Sequence, residues 1–150
     1  MAERWFEDYP VGATGEYGPI SVAEDDVVDF GRRFDPQPFH VDAEAAAASP
    51  FGGLIASGWH TCALMMRLYA TEYLSSASSL GSPGIDELRW RAPVRPGDEL
   101  VLRTAVEEAR VSRSKPDRGL LRTRVELVGR DGAVVLSMVA MNLVRTRPAG

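Results

Sequence analysis

One cysteine and two histidines are all the thiol and imidazole groups in these 150 residues. Cys62 has no partner for an internal disulfide, and His40 and His60 complete no Cys/His zinc spacing, so neither a disulfide scaffold nor a metal site is expected. No apolar run approaches the roughly 20 residues of a membrane span. Met1 to Glu7 lack the charged-then-apolar pattern of an export signal, and the expectation is a cytoplasmic protein without a membrane partner. Basic side chains are scarce at the start: residues 1–50 carry 11 acidic and 3 basic groups, residues 51–150 carry 10 and 14, and the net charge is −4. That balance argues against a general nucleic-acid binder, while leaving the second part of the chain able to meet an anion.

What is present is an ordinary globular composition, 45% hydrophobic and 25% charged. The length suits one domain over 1–150, able to bury roughly two-thirds of its unfolded surface. Within it, Phe34-Asp35-Pro36-Gln37-Pro38-Phe39-His40 stands out. Pro36 and Pro38 lack amide protons and push their predecessors towards extended geometry, which predicts a rigid loop. The loop carries a carboxylate and an imidazole, the pair most used to move protons near neutral pH. Gly52-Gly53 and then Ser57-Gly58 mark a tight turn and a helix entry.

Around these, Ser21-Val22-Ala23-Glu24 reads as a capping box opening a helix to about Arg33. Asp42 is placed to cap a short alanine helix, Ala43 to Ala48. From about Ser57 to Leu74, apolar residues recur at three- and four-residue spacing and also fill other sides, predicting a core helix covered nearly all round. Ser75 to Gly84 reads as a free loop. Four strands follow, Ile85–Val94, Glu99–Glu108, Leu120–Gly129 and Val134–Arg145, connected by hairpin-length links, and a short N-terminal strand is expected at Thr14–Pro19. The economical architecture is α+β, an antiparallel sheet wrapped around one long helix.

That arrangement, with an Asp-x-(Asn/Gln)-Pro-x-His loop, a helix entry ending in glycine and the later turn Pro93-Val94-Arg95-Pro96-Gly97-Asp98, resembles the MaoC-like dehydratases, the (R)-specific enoyl-CoA hydratases of the hotdog fold. The resemblance implies a single hotdog domain, a homodimer or larger even oligomer, no cofactor, and an acyl-CoA or acyl-carrier thioester as substrate. It places the catalytic aspartate at Asp35, the histidine at His40 and the carbonyl-polarising amide at Gly58. Gln37 stands for the usual asparagine, Ser57 for a histidine before the helix glycine, and Ala63 for a serine one turn into the helix.

Chemically, hydration of an enoyl thioester needs a polarised carbonyl and a group that exchanges protons with water. The unpaired amides of a helix start suit the first task, and the Asp35/His40 pair the second. Substrate binding is assigned to Gln37, Ser57 and Trp59. The basic stretch Arg110 to Arg122, with Arg113, Lys115 and Arg118, is assigned to the CoA phosphates. His60 is expected to be structural or pocket-lining, and Cys62 a small buried apolar residue. A Ser57/His60 nucleophilic pair lacks an acid to orient the imidazole. A hotdog thioesterase and a non-catalytic acyl-CoA-binding module are the competing readings.

Overall fold

Alternation along the later strands decides the architecture. A computed structural model describes residues 2–150. In it β1 (Thr14–Ser21), β2 (Ile85–Trp90), β3 (Glu99–Val111), β4 (Arg118–Gly129) and β5 (Val134–Arg145) form one antiparallel sheet in the order β1-β3-β4-β5-β2. On β4 one face is dry: Leu121, Thr123, Val125 and Leu127 are 0% exposed, while Arg124 faces solvent. Leu100, Leu102 and Leu136 join them, each such burial contributing about 2 kcal/mol.

Only β3, β4 and β5 follow one another by hairpins. β2 pairs with β5 at the far edge instead of with β3, and the link from Arg91 to Asp98, which carries Pro93 and Pro96, is held at Val94, whose carbonyl accepts the Ala56 amide at 2.8 Å. β2 also stops at Trp90, short of the expected Val94, and the amides of both Arg91 and Ala92 point at the Val135 carbonyl. The β4–β5 turn falls at Arg130-Asp131-Gly132 as expected, with Gly132 at φ +82°.

The helices are α1 (Glu24–Phe34), α2 (Pro38–Val41), α3 (Ala43–Ala48) and α4 (Gly58–Leu68), the last continued by a π turn, Tyr69–Tyr73. The capping box at Ser21 does not form. Ser21 is the last residue of β1, paired with Glu99, and α1 begins after Ala23 without a side-chain cap. Asp42 caps α3 as expected, its Oδ1 accepting the amides of Glu44 and Ala45 at 3.0 and 3.1 Å. The proline segment is not wholly extended: Pro38 occupies the first position of one helical turn, where its missing N–H costs nothing, and that turn carries His40.

α4 lies in the concave face of the sheet, burying His60, Thr61, Met65, Leu68, Tyr69 and Tyr73. Its phenols are seated on the sheet: Tyr69 donates to Asn142 Oδ1 at 2.6 Å, and the Tyr73 hydroxyl meets Thr123 Oγ1 at 3.0 Å. Cover all round is not achieved within one chain, since Trp59 is 59% and Met66 44% exposed. Nor is Ser75–Gly84 free: Leu80 donates to the Leu143 carbonyl and Ser79 bridges Val144.

Candidate active site

Three short elements converge on one carboxylate. Asp35 closes α1, its amide bonded to the Gly31 carbonyl at 2.9 Å. Gln37 Nε2 donates to Asp35 Oδ1 at 2.7 Å, and the Ser57 hydroxyl, from the entry of α4, donates to Oδ2 at 2.7 Å. His40 Nε2 approaches the same Oδ2 at 3.2 Å from α2. The hydrogen bonds from Gln37 and Ser57, with His40 adding to them, hold the Asp35 carboxyl below its ordinary 3.8 against the opposing effect of burial.

The position of α2 is fixed by two contacts. Gly31 of α1 lies against His40, so close that a Cβ there would sit 2.9 Å from Val41 Cγ1 and 3.0 Å from His40 Cβ. On the other side, His40 Nδ1 lies 2.7 Å from the Ile55 carbonyl. A carbonyl only accepts, so Nδ1 carries a proton. Nε2 and Oδ2 then bond to each other only by holding one further proton between them. The pair is therefore a one-proton store, oriented before any substrate arrives.

His40 opens on a cleft of about 300 Å³, walled by Phe51, Ile55, Ala56, Gly58, Thr61 and Trp90 together with the Arg91–Val94 backbone turn. Gly58 is the first residue of α4, so its N–H is one of the first-turn amides without an intrahelical partner. Trp90 packs on it. A Cβ at Gly58 would lie 2.5 Å from the indole, and Trp90 Nε1 donates to the Gly58 carbonyl at 2.8 Å. One wall of the cleft thus carries a positive helix end and another a proton-holding pair.

The family model described as the MaoC like domain matches residues 9–128. The chain belongs to that family. As a MaoC-like protein it superposes on the crystal structure of a MaoC-like dehydratase from Rhodospirillum rubrum with a TM-score of 0.88 and 39% identity, covering 97% of this chain and 99% of that one. It is 35% identical over 109 residues to a 3-hydroxybutyryl-CoA dehydratase of Methylorubrum extorquens, a match spanning 69% of this chain and 64% of that protein. A Mycobacterium tuberculosis protein described as having a double hotdog fold aligns with a TM-score of 0.78 at 20% identity, over 99% of this chain and 46% of that one, and the fold here is the hotdog.

Within this MaoC-like domain the sequence-predicted residues do not all gather. Asp35, Gln37, His40, Ser57 and Gly58 meet. His40 and Gly58 wall the cleft, whereas Asp35 joins it through His40 and Ser57 and is 19% exposed at its side chain. Ser57 is 1% exposed with its hydroxyl committed to Asp35, and Gln37 is likewise committed to the carboxylate. Trp59 stands outside the cleft, edge-on to Trp90 at 5.1 Å. Cys62 is half-buried, and burial pushes its thiol up.

The basic stretch lies elsewhere. Leu127 of β4 is level with Leu136, which pairs with Trp90, and Arg118 is nine residues further along β4, roughly 30 Å at the usual strand rise. Arg113 and Lys115 sit in the β3–β4 turn at that remote end, and Arg118 is paired with Asp117 at 2.9 Å. The expectation that the strand leading to this stretch borders the site is not met within one chain, because β3 starts near the dyad and runs away from it. His60, expected to be structural or pocket-lining, is buried and stacks on Phe30 of α1 with centroids 4.9 Å apart, and burial lowers its pKa below 6.5. The sequence reading missed Trp90 as a wall of the cleft, where it is 45% exposed in the single chain.

Proposed function

We propose that the protein hydrates a 2-enoyl thioester to the 3-hydroxyacyl thioester, and catalyses the reverse dehydration, with CoA or an acyl carrier as the thiol. The observation that carries this reading is the Asp35–His40 pair, 3.2 Å apart, beside a cleft that also holds the unpaired Gly58 amide. With the thioester oxygen on the Gly58 amide, the β-carbon becomes electrophilic and the developing enolate is stabilised. The pair takes one proton from water as its oxygen bonds to C3, and returns one proton to C2, so that its own count is unchanged at the end of the cycle. The dehydratase name carried by the Methylorubrum extorquens relative supports the reaction class.

The same reading includes a homodimer. Trp59, Met66, Ile85 and Trp90, 59, 44, 46 and 45% exposed, accompany the free edge of β2, an apolar surface and strand edge that soluble proteins cover. A second copy on this face, related by a two-fold axis, reverses the strand direction and brings its own β3–β4 turn, with Arg113 and Lys115, to the dyad end of the joined sheet. The CoA-phosphate role of those residues is thereby assigned across the interface.

A panel of 2-enoyl-CoA thioesters of increasing chain length tests the reaction, with conjugated-thioester absorbance and free thiol followed together. Loss of absorbance without thiol is the expected result. Thiol release instead would identify a thioesterase, and binding without either change a non-catalytic module.

A further inference from the structure

Ser57 is buried beyond the reach of a substrate, yet it touches both halves of the proposed machinery. Its Oγ accepts the Trp59 amide at 3.3 Å as the cap of α4, which leaves its single proton for Asp35 Oδ2 at 2.7 Å. The peptide between Gly58 and Trp59 is consequently held at both ends, by Ser57 at its N–H and by Trp90 Nε1 at its carbonyl, 2.8 Å away. The Ser57 carbonyl is engaged as well, accepting the Thr61 amide at 3.0 Å, and this orients the Ser57–Gly58 peptide whose free N–H belongs to the cleft wall.

Resting on the hydratase reading, we infer that Ser57 is a positioning residue that locks the Asp35 carboxylate to the start of α4, so that the proton-exchanging pair and the carbonyl-polarising amide are set as one unit. Ala63 provides no hydroxyl from the position where the family resemblance expects a serine. Here the hydroxyl comes from the cap of the helix instead, which adds a link between carboxylate and helix start that a donor from the helix interior would not make. His40 on α2 is the titratable group that faces Asp35, and among the described residues neither α1 nor the start of α4 pairs another charged side chain with it.

Two measurements on the intact protein separate this role from simple support of the fold. The Asp35 carboxyl is titrated by carbon-detected NMR in the wild type, Ser57→Ala, Ser57→Gly and Ser57→Thr, and kcat and KM for the best enoyl-CoA are measured as functions of pH. Glycine is tolerated at a helix cap almost as well as serine, so Ser57→Gly removes the hydroxyl while sparing the helix. The expected result is an upward move of the Asp35 midpoint in the alanine and glycine variants. The acid limb of kcat moves by the same amount, kcat falls about tenfold to a hundredfold with KM changed less than about twofold, and Ser57→Thr restores the limb. An unchanged Asp35 midpoint in both well-folded variants overturns the inference. A wild type that turns over no enoyl thioester, with the Asp35 midpoint still moving, sinks the hydratase reading and leaves the carboxylate lock supported.

Discussion

His40 makes one hydrogen bond to a group that can only accept and one to a group that prefers to be charged, and this asymmetry fixes its ring more firmly than either bond would alone. Asp35→Asn and His40→Gln keep size while removing proton exchange, so each is expected to lower turnover by about 10²–10⁴ with thioester binding largely retained. The double variant should be scarcely slower than the poorer single one, since groups serving one water molecule act as a unit. Stability gives an independent check. The hydrogen bonds from Gln37 and Ser57 depress the folded-state pKa of Asp35, so their contribution is present above the unfolded value and lost as pH falls through the folded one. The difference in Tm between wild type and Asp35→Asn should therefore be constant near neutrality and shrink below about pH 4. A gap that persists unchanged to lower pH would show that the carboxylate charge does not bear on stability.

Among the elements, the one-turn α2 shows how far the chain could be read in advance. Both prolines and the spacing of Asp35 and His40 were legible. The helical turn itself was not, because Pro38 at a first helical position is indistinguishable in sequence from Pro38 in an extended loop. Ser21 misled for a related reason: a Ser-x-x-Glu pattern suits a capping box, but pairing of Ser21 with Glu99 in the sheet outweighed a cap worth about 1 kcal/mol. The contact of Gly31 with α2 yields a prediction at this scale. Gly31→Ala places a methyl within 3.0 Å of His40 Cβ and 2.9 Å of Val41, and helix propensity favouring alanine by about 1 kcal/mol does not offset overpacking of about 1–3 kcal/mol. Denaturant titration should show a net loss of stability, and kcat should fall as His40 is displaced from Asp35; an alanine variant more stable than wild type, with full activity, would mean that α2 moves aside freely.

At the scale of the molecule, the strands and the short links between them were legible, but not which strand lies beside which, since β2 reaches β5 through contacts distant in sequence. For the same reason the remoteness of the basic turn from the dyad was invisible until the register was known. Both features bear on assembly. Trp59→Glu combined with Met66→Glu should convert a dimer at micromolar concentration into a monomer by light scattering; an unmodified chain that is monomeric and fully active would remove the dimer from the argument. Arg113→Ala should raise KM for CoA esters and flatten its salt dependence with kcat nearly unchanged, as expected for a charge that steers a phosphate, whereas unaltered affinity there and in Lys115→Ala would leave the turn a solvated surface. The seating of Tyr69 on Asn142 and of Tyr73 on Thr123 has a further meaning for how the fold is specified. A greasy rod in a curved trough can slide by a turn or roll about its axis at little cost, since hydrocarbon is indifferent to its neighbours. Two phenols that must each find one oxygen admit a single setting, like wards in a lock, and the opposite tip of the rod, where Gly58 lies, inherits its aim from them.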